Sequence, residues 1–159
     1  MSTLPWQWQE RPMGSRVLVF ASRFDGQGMG NGRRPRGAFR LMRHSLAIRR
    51  QVLRTRGAVG VSVSARPLRG EYYTLSAWQD EQSLLAFAHR GAHKAGVQDL
   101  YRRGPVTGVL IAWWEDATSW KPRWDDAIRR TWEATPGQYI GPDDSERRPA
   151  ARRSVSTSG

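Results

Sequence analysis

The chain has 159 residues, a formal charge of +12, 38% hydrophobic residues and no cysteine. That length suits one domain with one apolar core. The lack of cysteine excludes disulfides, thiolate metal sites and cysteine nucleophiles, and sets a cytoplasmic home as the expectation. No run approaches the roughly 20 apolar residues of a membrane helix. The opening MSTLPWQWQERP also lacks the basic-then-apolar order of a secretory signal.

Almost all the positive charge is arginine, with Lys94 and Lys121 the only lysines. A basic surface attracts anions, nucleic acid included. Here the arginines are scattered over helix faces and tails, and no nucleic-acid-binding motif accompanies them. Nucleic acid is therefore not the expected partner.

Residues 1–15 read as an irregular N-terminal arm that Trp6 and Trp8 can dock by burying their rings. Arg16 to Ser22 is a strand with apolar residues on both faces, Val17, Val19 and Ala21 against Leu18 and Phe20. A Gly/Arg-rich flexible loop follows over 25–37. Its glycines fit neither a dinucleotide fingerprint nor a P-loop, which leaves a loop able to gate a pocket mouth. Ala38 to Thr55 is an amphipathic helix with Leu41, Ser45, Ile48 and Val52 inward, closed by Gly57. His44 falls on its polar flank and carries no expected role.

Val59 to Leu68 alternates and, after the Pro67–Gly70 turn, pairs with Glu71 to Trp78 as an antiparallel hairpin. Asp80 to His89 is a helix with acidic residues at its positive end. His93 to Arg102 is a shorter one, and Val106 to Trp114 is the last core strand, apolar on both faces. Arg123 to Glu133 is a terminal helix, with Trp124, Ile128 and Trp132 spaced four apart. Residues 136–159 read as a largely disordered tail, so the domain spans 16–135.

The order strand, helix, strand, strand, helix, strand is the α+β, ferredoxin-like β-α-β-β-α-β pattern with an antiparallel sheet. Helices cover one sheet face in such a domain. Because the strands are apolar on both faces, a second copy is expected to cover the other, giving a homodimer with an enclosed pocket.

The tract Thr74 to Phe87, of the form TLSAW-x-DE-x-x-L-x-AF, and the following Gly91-Ala92-His93 resemble the antibiotic biosynthesis monooxygenase superfamily of dimeric α+β barrels. They lie nearest a branch related to spheroidene monooxygenase. The resemblance spans roughly residues 16–115, and its motifs are mainly structural. It implies a small biosynthetic enzyme on a hydrophobic, aromatic or polyketide-like molecule, working as a cofactor-independent monooxygenase or as a cyclase or isomerase. Two alternatives go with it: a haem-binding protein with His93 as axial ligand, and a non-catalytic ligand or nucleic-acid binder.

His93 is the expected catalytic residue, because an imidazole exchanges protons near neutrality. Tyr72, Thr74, Ser76 and Trp78 share one strand face that mixes rings and hydroxyls, as a wall gripping a planar substrate requires. Tyr73 and Leu75 are expected on the dry face under the helices. Arg66 is expected on the mixed face, able to clamp a carboxylate or a haem propionate. His89 reads as a surface residue. Trp113, Trp114 and Trp120 read as interface aromatics. Spacing reveals no metal triad and no serine–histidine–acid arrangement.

Overall fold

The structure, a computed structural model, describes residues 1–25, 35–66, 69–102, 107–137 and 139–143. Residues 26–34, the greater part of the Gly/Arg-rich loop, and the tail beyond 143 lie outside these.

Four long strands make the sheet: β3 (Arg16–Asp25), β4 (Ala58–Arg66), β5 (Glu71–Trp78) and β6 (Thr107–Asp116). They lie side by side as β4-β5-β3-β6, and every neighbouring pair among them is antiparallel. The helix α1 (Pro35–Val52) connects β3 to β4, and the pair α2 (Glu81–Ala88) and α3 (Gly91–Arg102) connects β5 to β6. This is the ferredoxin-like arrangement expected from the element order. Short strands extend both edges. From the N-terminal arm, β1 (Ser2–Thr3) and β2 (Gln7–Trp8) pair with β4, and β7 (Tyr139–Ile140) runs parallel to β6.

Local chemistry sets the helix ends. Asp80 caps α2, its carboxylate accepting the Ser83 backbone N–H at 2.7 Å. Gly57, at φ 83°, turns the chain between α1 and β4 in a conformation that L side chains avoid. A further helix, α4 (Trp124–Glu133), carries Asp125 and Asp126 in its first turn, where the helix dipole favours them.

The sheet is buried on both faces. Leu18, Phe20, Val61, Trp78 and Ala112 pack beneath α1 and α2, against Val52, Leu84 and Phe87. Val17, Val19, Ala21, Leu75, Ala77 and Trp113 face the other way, against Ala127 and Ala134 of the α4 region and the arm residue Trp6. The expectation that a second copy covers this face needed the face to be bare. It is covered instead by the chain's own α4 and arm. Leaving it exposed would forfeit about 1.5–3 kcal/mol for each large aliphatic residue.

Two parts of the sequence reading change as a result. Tyr73 and Leu75 lie not under α1–α3 but on the α4 face, because register pairs Leu75 with Ala21 and Tyr73 with Arg23. The inner stripe of α4 includes the buried Ala127 and Thr131, while Trp132 is 53% exposed and carries the Arg23 guanidinium over its ring at 3.7 Å.

The arm is held by both backbone and side chains. Leu4 N–H donates to Val63 O and Gln9 N–H to Val59 O, each at 2.9 Å. Ser62 Oγ donates to Leu4 O at 2.6 Å and accepts from Trp124 Nε1 at 3.1 Å, joining arm, β4 and α4 at one hydroxyl. Trp6 packs edge-on with Trp8 and Trp120, and its ring lies over Gly60. A Cβ at Gly60 would stand 2.6 Å from the Trp6 ring and 2.7 Å from Gln7 O. Gly60→Ala is therefore expected to lift the arm, accelerating amide exchange at Leu4 and Gln9 while Leu18 and Val19 stay protected. Exchange rates at Leu4 and Gln9 that match the parent protein would contradict this docking.

Candidate functional site

Between the sheet and α1–α3 lies a cavity of about 40 Å³. Its floor is the β3 and β5 face that carries Phe20, Ser22, Tyr72, Thr74 and Ser76. Its roof includes Ile48 of α1, Phe87 of α2 and His93 of α3, with His44 of α1 beside Gly96 of α3. The described lining residues come from β3, β5 and α1–α3 of one chain.

Tyr72 is the most informative lining residue. Its side chain is buried, its hydroxyl has no hydrogen-bond partner, and burial raises its pKa. A buried polar group without a partner costs about 1–3 kcal/mol. Tyr73, one residue on, is satisfied: its hydroxyl donates to Glu71 Oε2 at 2.8 Å on the opposite face.

His93 is fixed from two sides. Its Nδ1 lies 2.8 Å from Ala88 O, and a carbonyl only accepts, so Nδ1 carries the hydrogen and Nε2 the lone pair. Its backbone N–H donates to Gln51 Oε1 at 2.9 Å, while Gln51 Nε2 donates to the carbonyls of Phe87 and Arg90. One α1 side chain thus fastens the α2–α3 junction that presents the histidine. Burial lowers the His93 pKa; the Ala88 carbonyl partly opposes the shift and His89 adds to it.

The other expected wall residues divide. Thr74 and Ser76 line the cavity. Trp78 is fully buried outside the lining, its Nε1 donating to Ser76 Oγ at 3.0 Å and its ring 5.0 Å from that of Phe87. It sets the Ser76 hydroxyl and supports the roof. Arg66 is not at the cavity. The hairpin register pairs Arg66 with Glu71 and Ala65 with Tyr72, which puts Arg66 on the α4 face, where its Nη1 meets Glu71 Oε2 at 3.1 Å. Spacing within β4 could not reveal this, since a bulge between Ala58 and Gly60 resets the alternation.

Two residues were passed over. His44 lines the cavity, with Nε2 3.2 Å from Asp99 Oδ2. Gln51 positions His93, as described. Both sit on α1 with Ile48, at spacings of four and three, so the expected stripe, whose Ser45 and Ile48 line the cavity, extends to its neighbouring positions.

No family model matches the chain, and no curated protein does. Solved structures supply the likeness. One is a provisionally assigned monooxygenase of Fusobacterium nucleatum, with TM-score 0.50 and 10% identity over 65% of this chain and 45% of that one. This chain thus spans less than half of that protein's length. Two others are the cofactor-independent oxygenase SnoaB of Streptomyces nogalater and a provisionally assigned antibiotic biosynthesis monooxygenase of Nitrosomonas europaea. SnoaB, as a point mutant, gives TM-score 0.44 and 14% identity over 61% of this chain and 91% of its own. The Nitrosomonas protein gives 0.45 and 9% over 62% and 89%. The fold is thus shared with the Fusobacterium protein, and an identity this low speaks to fold alone.

Because burial disfavours the charged His93 ring, the unfolded chain binds a proton that the native chain refuses once pH drops below the ordinary imidazole value of about 6.5. Native stability gained from the neutral ring is present above that pH and is lost on acidification, until the folded-state pKa is passed. Urea titrations at pH 7.5 and pH 5 should show a smaller loss for His93→Phe than for the parent chain.

Proposed function

We propose that this chain is a small-molecule biosynthetic enzyme that takes a hydrophobic, planar, aromatic molecule into the α1–α3 cavity. There it oxygenates the molecule without a cofactor, or rearranges it as a cyclase or isomerase. The observation that carries this reading is the buried, partnerless Tyr72 hydroxyl in a chamber that mixes aromatic rings with hydroxyls. An unmet donor facing a cavity is one that a bound ligand can satisfy.

The surrounding groups suit that chemistry. Tyr72 and the hydroxyls of Ser22, Thr74 and Ser76 can hydrogen-bond a substrate oxygen as it gains negative charge. His93 offers an unprotonated Nε2 as hydrogen-bond acceptor. Phe20, Phe87 and Ile48 exclude water and grip a flat ring.

Size narrows the substrate. About 40 Å³ holds a few waters, and a cavity that accepts one benzene ring is about 150 Å³. A benzene ring would require roof side chains such as Ile48 and Phe87 to rotate, whereas a fused polycyclic polyketide would require α1 and α3 to part. Haem does not fit. Ligand pockets of that class run to about 300–1,000 Å³, and no arginine or lysine is among the described lining residues to meet a propionate.

Tyr72→Phe is expected to raise stability by about 1 kcal/mol, by deleting the unsatisfied hydroxyl, and to weaken binding of phenol at least tenfold. Tyr73→Phe should do the opposite, lowering stability by a similar amount and leaving phenol binding intact. Denaturation curves and calorimetry on the two variants measure both effects. A destabilised Tyr72→Phe that binds phenol as the parent does would defeat the reading.

A further inference from the structure

The cavity holds a second titratable pair, at its rim. His44 and Asp99 approach at 3.2 Å from α1 and α3, with side chains 28% and 25% exposed. A carboxylate only accepts, so in the neutral ring Nε2 carries the hydrogen and Nδ1 the lone pair. Nδ1 is the atom nearest to where a Cβ would stand on Gly96, at 3.6 Å, with Ile48 Cδ1 next at 3.7 Å. Gly96 itself lines the cavity. The basic nitrogen therefore lies beside a position on α3 that carries no side chain to screen it.

Resting on the pocket reading above, we propose that His44, oriented by Asp99, is the base that takes a proton from the substrate, and that the substrate is a phenol or an enolisable carbonyl compound whose oxygen receives the Tyr72 hydroxyl. The substrate O–H or C–H bond breaks and an N–H bond forms on Nδ1. The electron pair stays on the substrate, delocalised onto the oxygen held by Tyr72. The resulting imidazolium is stabilised by Asp99, and the proton returns to product or solvent. No electrons leave the substrate in this step.

The two histidines divide the work. His93 gives its Nδ1 hydrogen to a carbonyl and lies buried against the Phe87 ring at 4.9 Å, surroundings that disfavour a second proton. His44 has an anion beside it and solvent access for discharging the proton. Asp99 is a positioning residue, acting through His44.

Para-nitrophenol tests this, since its ionised form has its own absorbance and the ionised fraction of bound probe is read directly. The parent protein is expected to bind it largely as phenolate at a pH where the free probe is mostly neutral. His44→Ala should still bind the probe but with a phenolate-to-phenol ratio at least tenfold lower. Asp99→Asn should lower the ratio, and Asp99→Glu should restore part of it. Gly96→Ala places a methyl over Nδ1 in ordinary van der Waals contact and favours the helix. It keeps the test open should His44→Ala fail to fold, and it too should lower the ratio. Bound probe equally ionised in His44→Ala and Gly96→Ala overturns the base assignment and leaves the pocket reading standing. No binding of the probe to the parent protein overturns both.

Discussion

A sheet with apolar side chains on both faces cannot leave either one in water, and everything else in this molecule answers that constraint. In β3, Leu18 and Phe20 face α1 and α2 while Val17, Val19 and Ala21 face α4 and the arm. Both covers come from the same chain. The second is assembled from pieces distant in sequence: Trp6 near the start, Ala127 and Ala134 near the end, and Ser62 Oγ bonded to both Leu4 and Trp124. Because that cover belongs to the chain, the first face is free to be imperfect. It leaves a gap under α1–α3 where three hydroxyl side chains, Ser22, Thr74 and Ser76, replace the aliphatic residues found elsewhere on the strands.

The site follows from register as much as from residue type. Directly opposed residues in an antiparallel sheet share a face. Thr74 therefore sits between Ser22 and Val63, and Tyr72 between Phe24 and Ala65. The same pairing sends Arg66, Glu71 and Tyr73 to the opposite side, where they satisfy one another. Two adjacent tyrosines thus have opposite fates. Tyr73 closes a structural hydrogen-bond network, and Tyr72 keeps a hydroxyl unspent within the cavity.

The arginine-rich composition finds a structural use apart from nucleic acid. Arg16 lies over Trp114, Arg23 over Trp132 and Arg130 over Trp113, at 5.1, 3.7 and 4.6 Å from the ring centroids. Planar guanidinium groups stack on indoles in a way that lysine does not match. Arg130 also pairs with Asp126 at 2.9 Å, fastening α4 to itself while stacking on the strand beneath. These arginines serve different faces and different elements, consistent with charge that is scattered along the sequence rather than gathered into a patch.

Periodicity and turn residues were enough to place the four core strands, the helices between them and the ferredoxin-like order, because each depends on side chains a few positions apart. They were enough, too, to put Tyr72, Thr74 and Ser76 on one face and to single out His93. Which face met the helices, and whether the other needed a partner, depended on contacts across the whole chain: the β4–β5 register, the bulge beside Val59, and the arm reaching β4 across some sixty residues, as between Thr3 and Ser64. The pairing of His44 with Asp99, 55 residues apart, belongs to the same class. In sequence His44 is a polar residue on a helix flank; only the packing of α3 against α1 brings a carboxylate to one nitrogen and a glycine to the other.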